Sequence, residues 1–203
     1  MSSVVAMTAI RGRFLDIKNT VAQAREIHDQ VRYVEDGLLI TKNGQIDYFG
    51  SWQAGQHLIG PDVKVEHYPE QLIVPGFIDT HIHFPQTEMI GAYGEQLLEW
   101  LNTYTFPTEL QFKDAEYSKQ IAQFFIQELL KNGTTTALVF ATVHPESVNA
   151  LFEAATDKNM RMIAGKVLMD RHAPENLCDT AQTGYEDSKT LIEKWHRKGR
   201  NLY

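Results

Sequence analysis

The chain has 203 residues, enough for a sizeable core, and its 43% hydrophobic content is that of an ordinary globular protein. A formal charge of −7, from 19 Lys and Arg against 26 Asp and Glu, argues against nucleic-acid binding driven by phosphate neutralisation. One cysteine, Cys178, excludes an intramolecular disulfide and fits a reducing cytoplasm, the location expected here. No run of about 18 apolar residues predicts a membrane span, and the opening MSSVVAMTAIRGRF lacks the pattern of a secretory signal.

Residues 1–70 read as β-rich and as part of a small β-sandwich that carries no chemistry. Ala9–Asp16 is a predicted strand. Gly37–Lys42 and Gln45–Gly50 flank Asn43-Gly44, a strong hairpin signal, because a type I′ turn needs positive φ at both central residues. The polar segment Asn19–Arg32 between them is expected to be helical in part. Val63–Tyr68 alternates and predicts a further strand. His28, His57 and His67 fall in this region and read as surface or structural residues.

From residue 71 the pattern changes. Leu72, Ile73, Val74, Phe77 and Ile78 suggest one short buried strand, punctuated by Pro75-Gly76 and ending on His81 and His83. Alternate side chains of a strand share a face, so the two imidazoles project together while Ile82 points the other way. Such a pair suits a zinc or iron ion. A bare HxH also arises by chance, but here a hydrophobic strand precedes it. Asp79 is close enough for hydrogen bonding around a metal site, and polar Gln86-Thr87-Glu88 follows.

Glu95–Leu101 predicts a short amphipathic helix that Phe106-Pro107 should end or redirect. Its Leu98 and Trp100 are candidates for a pocket wall, with core packing the competing role. Asp114–Lys131 has strong helical periodicity, with Tyr117, Ile121, Phe124, Phe125 and Leu129 on an apolar face and Asn132-Gly133 as its stop. Then come a β-branched strand over Thr134–Val143, a helix over Ser147–Asp157 and a strand over Arg161–Met169. A last helix lies within Asp179–Arg197, and Asn201–Tyr203 reads as the start of a fourth strand. Strand and helix in alternation indicate parallel βα units. His144 at one strand end reads either as a residue of the site face or as plain loop. Asp170 and Arg171 are a candidate ion pair at the next strand end, His172 reads as exposed, and Cys178 reads as inert.

The segment PGFIDTHIH, residues 75–83, resembles the first-strand signature of the amidohydrolase superfamily. The longer run PGFIDTHIHFPQTEMIGAYGEQLLEWLNTYTFPTE, with NGTTTALVF and RMIAGKVLMDR further on, resembles the guanine deaminase family within it. The resemblance covers essentially the whole chain. It implies an α/β fold, an amidohydrolase-type TIM (β/α)8 barrel over residues 71–203 of which three βα units are present. It also implies hydrolytic deamination of guanine to xanthine and ammonia by water activated on one zinc ion, with iron the alternative metal. His81 and His83 would be metal ligands; His83, Phe84, Pro85 and Gln86 would bind the substrate, the Gln86 amide bonding the guanine ring. A third histidine, an aspartate, a proton-transfer glutamate and an arginine are implied beyond Tyr203. The chain therefore reads as the N-terminal part of a longer enzyme, expected to be a homodimer. The zinc deaminases that use paired cysteines are excluded, since only Cys178 is present. Two other readings remain open: a sister amidohydrolase acting on a cytosine, triazine or imidazolone, and a truncated chain that is catalytically inert.

Overall fold

The computed structural model describes residues 6–20, 22–94 and 96–197. Glu95 of the predicted helix and the strand expected at Asn201–Tyr203 lie outside them. The chain divides into two compact units after Pro75.

The first unit is a four-stranded sheet of order β3-β2-β1-β4, with β1 at Met7–Ile17, β2 at Val31–Lys42, β3 at Gln45–Ser51 and β4 at Val65–Ile73. β2 pairs antiparallel with β1 and β3, while β4 runs parallel to β1. Asn43 and Gly44 turn the β2–β3 hairpin with φ of 52° and 75°, the left-handed pair that a two-residue turn demands. The segment between β1 and β2 forms a 3-10 helix at Ala24–Gln30. Ala9, Leu38 and Ile40 are buried on one side of the sheet, under Tyr48, Trp52 and Val63. A sandwich needs a second sheet, whereas the described residues of this unit form a single four-stranded one. His28, His57 and His67 are all exposed.

One expectation needs correction at the junction. Leu72 and Ile73 do not begin the histidine strand. They end β4, where they pair with Arg13 and Phe14 of β1. Val74, Pro75 and Gly76 then leave both sheets. The apolar run is continuous in sequence, but Pro75 has no N–H to offer a ladder, and pairing stops before it. Gly76 is required by close approach: a Cβ would fall 2.1 Å from the Thr135 hydroxyl.

The second unit is a parallel sheet of order β5-β6-β7, with β5 at Phe77–His83, β6 at Thr134–Phe140 and β7 at Arg161–Gly165. Three helices follow the strands in turn: α1 (Ala115–Lys131), α2 (Pro145–Asp157) and α3 (Ala181–Trp195). Asp114 caps α1 by accepting from the backbone N–H groups of Glu116 and Tyr117, and Thr180 and Thr183 close a capping box on α3. One face of the sheet, Ala137, Val139 and Met162, is buried against Phe125, Ile126, Val148 and Leu151 of the helices. Leu138, Phe140 and Ile163 occupy the other face and stay partly open. Phe124, expected on the buried face of α1, is half exposed. No helix of the described residues is long and apolar enough to cross a membrane.

Pro107 does not end the preceding helix. Residues 97–111 run on as an α turn (Leu97–Trp100), a π turn (Leu101–Thr105) and an α turn (Phe106–Gln111). The wider π turn puts Pro107 in the first turn of the next α segment, where a missing N–H costs little.

Candidate active site

The site is built on an irregularity in β5. Asp79 pairs with Ala137 and Ile82 with Val139, so three steps along β5 match two along β6. One residue is therefore extra, the signature of a β-bulge, which re-aims side chains at strand ends. Asp79 secures it: its Oδ1 accepts from the backbone N–H of His81 at 3.0 Å. The carboxylate expected to bond around a metal thus holds the backbone of His81.

Past the bulge, Ile82 faces the helices while His81 and His83 share the other face. Their Nε2 atoms lie 3.3 Å apart. Two nitrogens bound to one tetrahedral zinc ion at about 2.05 Å would lie about 3.3 Å apart. The pair fits one edge of such a coordination sphere. Burial first, and then the neighbouring His81, hold His83 below the usual imidazole pKa, which favours the neutral form that binds metals. Phe140, directly across the ladder from His83, stacks on its ring at 4.8 Å and 14°, and lies 5.0 Å from His81. This platform was not foreseen, because it depends on register. Among the described residues no group of three or more His, Cys, Asp or Glu side chains forms a complete metal site.

A cavity of about 650 Å³ opens beside the pair. His81, His83, Gln86 and Thr87 supply its polar edge, and Met89, Ile90, Trp100 and Phe124 its apolar wall. Trp100 lines it with the indole Nε1 donating to the Ala92 carbonyl at 3.2 Å. Leu98, its weaker companion in the sequence reading, is exposed and outside the cavity.

Gln86 sits in a 3-10 turn, Phe84–Met89. Phe84 and Pro85 do not line the cavity, contrary to the expectation that they wall the substrate. Phe84 is fully buried, packed edge-on to Phe112 at 5.0 Å and beside Phe125 at 5.5 Å. A ring of that size gains more from the core than from a half-open rim, so the turn anchors there and presents Gln86 on its far side. Thr87 ties the turn to itself by donating to the Phe84 carbonyl at 2.6 Å. Tyr117 of α1 donates its hydroxyl to Glu88, and burial followed by this bond pushes the phenol above its usual pKa.

The remaining candidates separate clearly. His144 is buried, with Nε2 lacking a hydrogen-bond partner among the described residues, and burial lowers its pKa. Its backbone is held in the β6–α2 turn by Thr142 and Ser147 hydroxyls. The Asp170–Arg171 pair is exposed at 3.5 Å and holds little, since exposed pairs contribute roughly 0–1 kcal/mol. The firm ion pair of this loop is Lys166 with Asp179, at 2.7 Å and with the lysine fully enclosed. His172 and Cys178 are exposed. Glu109 is a further residue the sequence did not single out. It is buried in a helix lying against the Phe84–Met89 turn, and burial pushes its carboxyl up to about 7.

Residues 72–201 match the amidohydrolase family. Over all 203 residues the chain is 58% identical to guanine deaminase of Escherichia coli (strain K12), covering 46% of that protein. The solved structure of E. coli guanine deaminase superimposes with a TM-score of 0.90 at 54% identity, over 98% of this chain and 44% of that one. That of C. acetobutylicum guanine deaminase, with guanine bound in its active site, gives 0.84 at 28% identity, over 97% and 45%. The chain spans about half the length of these relatives.

Proposed function

The chain belongs to the amidohydrolase family, and from that premise we propose that it forms part of an enzyme that hydrolyses guanine to xanthine and ammonia in purine catabolism. The observation that carries this reading is the His81–His83 pair, at the separation one metal ion requires, beside a cavity edged by Gln86. Its likeness to guanine deaminases extends over its whole length. The three-stranded parallel sheet is then the first part of a (β/α)8 barrel. The four-stranded sheet is one layer of a small β-sandwich without catalytic residues.

In this reading His81 and His83 hold zinc, iron being the alternative, and later barrel strands supply the other ligands. When bound, the ion supplies Lewis acidity, which brings the ionisation of water toward neutral pH. Asp79 and Phe140 fix the two imidazoles from behind, one through backbone and one through ring stacking. Gln86 presents a donor and an acceptor on one amide, which matches the adjacent carbonyl and N–H of the guanine edge. Met89, Ile90 and Trp100 shield the ring from bulk water. Water adds at the ring carbon bearing the exocyclic amine, that C–N bond breaks, and the nitrogen leaves as ammonia. The enzyme is placed in the cytoplasm as a homodimer. The 203 residues alone are expected to be inactive, since the described residues supply two imidazoles and no third ligand.

Guanine turnover, followed by loss of its ultraviolet absorbance with metal content measured in parallel, tests the proposal in the full-length protein. His83→Ala should lose metal and activity together, and Gln86→Ala should keep the metal and bind guanine weakly. A metal-replete full-length protein inert toward guanine would leave the family intact and remove the substrate, returning the question to a cytosine, triazine or imidazolone.

A further inference from the structure

We propose that Tyr117 is a positioning residue for the substrate edge of the site, acting through Glu88 to fix the amide of Gln86. The inference rests on the guanine reading above and deepens it.

An amide discriminates a purine edge only if its donor and acceptor ends are held in one orientation. The backbone that carries Gln86 is poorly suited to that by itself. It is one short 3-10 turn, and His83 gives it no side-chain cap. Its two ends are fixed by burial, Phe84 at the start and Met89 at the finish. Between them Gln86, Thr87 and Glu88 are not buried. Among the described residues Thr87 bonds within the turn. Glu88 reaches outward to the Tyr117 hydroxyl, on a different element, and its bond is the one in this turn made by a charged side chain.

Tyr117 is itself held. It occupies the first turn of α1, where its backbone N–H is bonded by the Asp114 carboxylate at 2.9 Å. Its ring packs edge-on to Phe112 at 5.1 Å, and Phe112 packs on Phe84. The hydroxyl, the two phenylalanines and the turn therefore close a loop around Gln86: Phe84 anchors one side through the core and Glu88 the other through Tyr117. Remove the hydroxyl and the buried ends of the turn remain, Met89 with its contact from the Thr105 hydroxyl included, but the unburied middle that carries Gln86 has lost its tie to α1. The cost should appear in how guanine is held and not in the metal chemistry, because neither Tyr117 nor Glu88 lines the cavity.

The test uses the full-length protein with Tyr117→Phe, Glu88→Ala, the double variant, and Glu88→Gln, which keeps an acceptor. Tyr117→Phe and Glu88→Ala should each raise KM for guanine roughly fivefold with kcat and metal content unchanged. The double variant should be no worse than either single one, and Glu88→Gln should recover most of the loss. Amide hydrogen exchange over residues 84–89, read without substrate, should quicken by a similar factor in the same variants. Unchanged exchange and KM in Tyr117→Phe would overturn the proposal, as would additive losses in the double variant. A wild-type protein inert toward guanine, with exchange at 84–89 still quickened by both changes, would sink the substrate and leave the tether standing.

Discussion

β5 and β6 lie side by side in one parallel sheet and answer to opposite demands. β6 has a neighbour on each side and buries Ala137 and Val139 among the helices. β5 has one neighbour in the described sheet, carries an extra residue, and leaves Phe77 and Ile78 largely exposed. The central strand holds the unit together and the outer one holds the candidate chemistry. The strand period puts His81 and His83 on one face, and a carboxylate, a ring platform and an anchored turn hold them there. Order at the site comes partly from Asp79 of β5 itself and partly from its neighbours.

The widest separation between core and rim should come from Phe84 and Phe124, two phenylalanines within the same unit. Phe84 is fully buried, so Phe84→Ala should cost about 3–5 kcal/mol in urea unfolding. Phe124 is 51% exposed, and Phe124→Ala should cost well under that, about 1 kcal/mol or less. Equal losses would mean that the turn is not anchored through Phe84.

Glu109 supplies the next largest effect, and its sign is opposite to that of a paired carboxylate. Burial raises its pKa from 4.5 to about 7, so the folded protein binds this proton more tightly than the unfolded chain. Its contribution is full below about pH 4.5 and is lost as the pH rises through about 7. A shift of that size corresponds to roughly 3 kcal/mol. Glu109→Gln should flatten this part of the stability profile and leave the variant more stable than wild type near pH 8. A variant less stable at every pH would show that the carboxylate has a partner to lose.

Asp79→Ala addresses the bulge directly. One backbone N–H loses its acceptor, so unfolding should move by only about 1 kcal/mol. Zinc affinity of the full-length protein should fall further, about 10- to 100-fold, as expected when a group that orients a ligand is removed. Zinc affinity unchanged in Asp79→Ala would mean that the strand holds His81 without help.

How far all this could be read from sequence depends on whether a feature is local. The shared face of His81 and His83 follows from the period of a strand, and the Asn43-Gly44 hairpin from φ sterics. The caps and stops of α1 are equally local. Leu72 and Ile73 misled because an apolar run does not say which sheet it joins; only pairing with Arg13 and Phe14 does. The resemblance puts Phe84 in a substrate wall, whereas the rings that pack on it come from positions 112 and 125, which a local motif does not reveal. Pro107 reads as an end or a redirection because the π turn before it leaves no plain mark in the sequence. The bulge and the Phe140 platform required the register of β6 against β5, which neither strand specifies alone.

Phe140 is where the contrast between the strands narrows, since it belongs to β6 and serves β5. Phe140→Leu keeps an apolar side chain at the position but removes the ring stacked on His83 and tilted against His81. Stability should shift by roughly 1 kcal/mol or less, because the residue is partly exposed and the exchange is between apolar groups. The two histidines would then keep their bulge and lose their platform, so zinc should bind more weakly and dissociate faster from the full-length protein. The effect should be smaller than that of Asp79→Ala, since ring stacking restrains tilt whereas the carboxylate fixes the backbone position of His81. If Phe140→Leu instead matched or exceeded Asp79→Ala in zinc affinity, the imidazoles would owe their separation to the neighbouring strand more than to the bulge in their own.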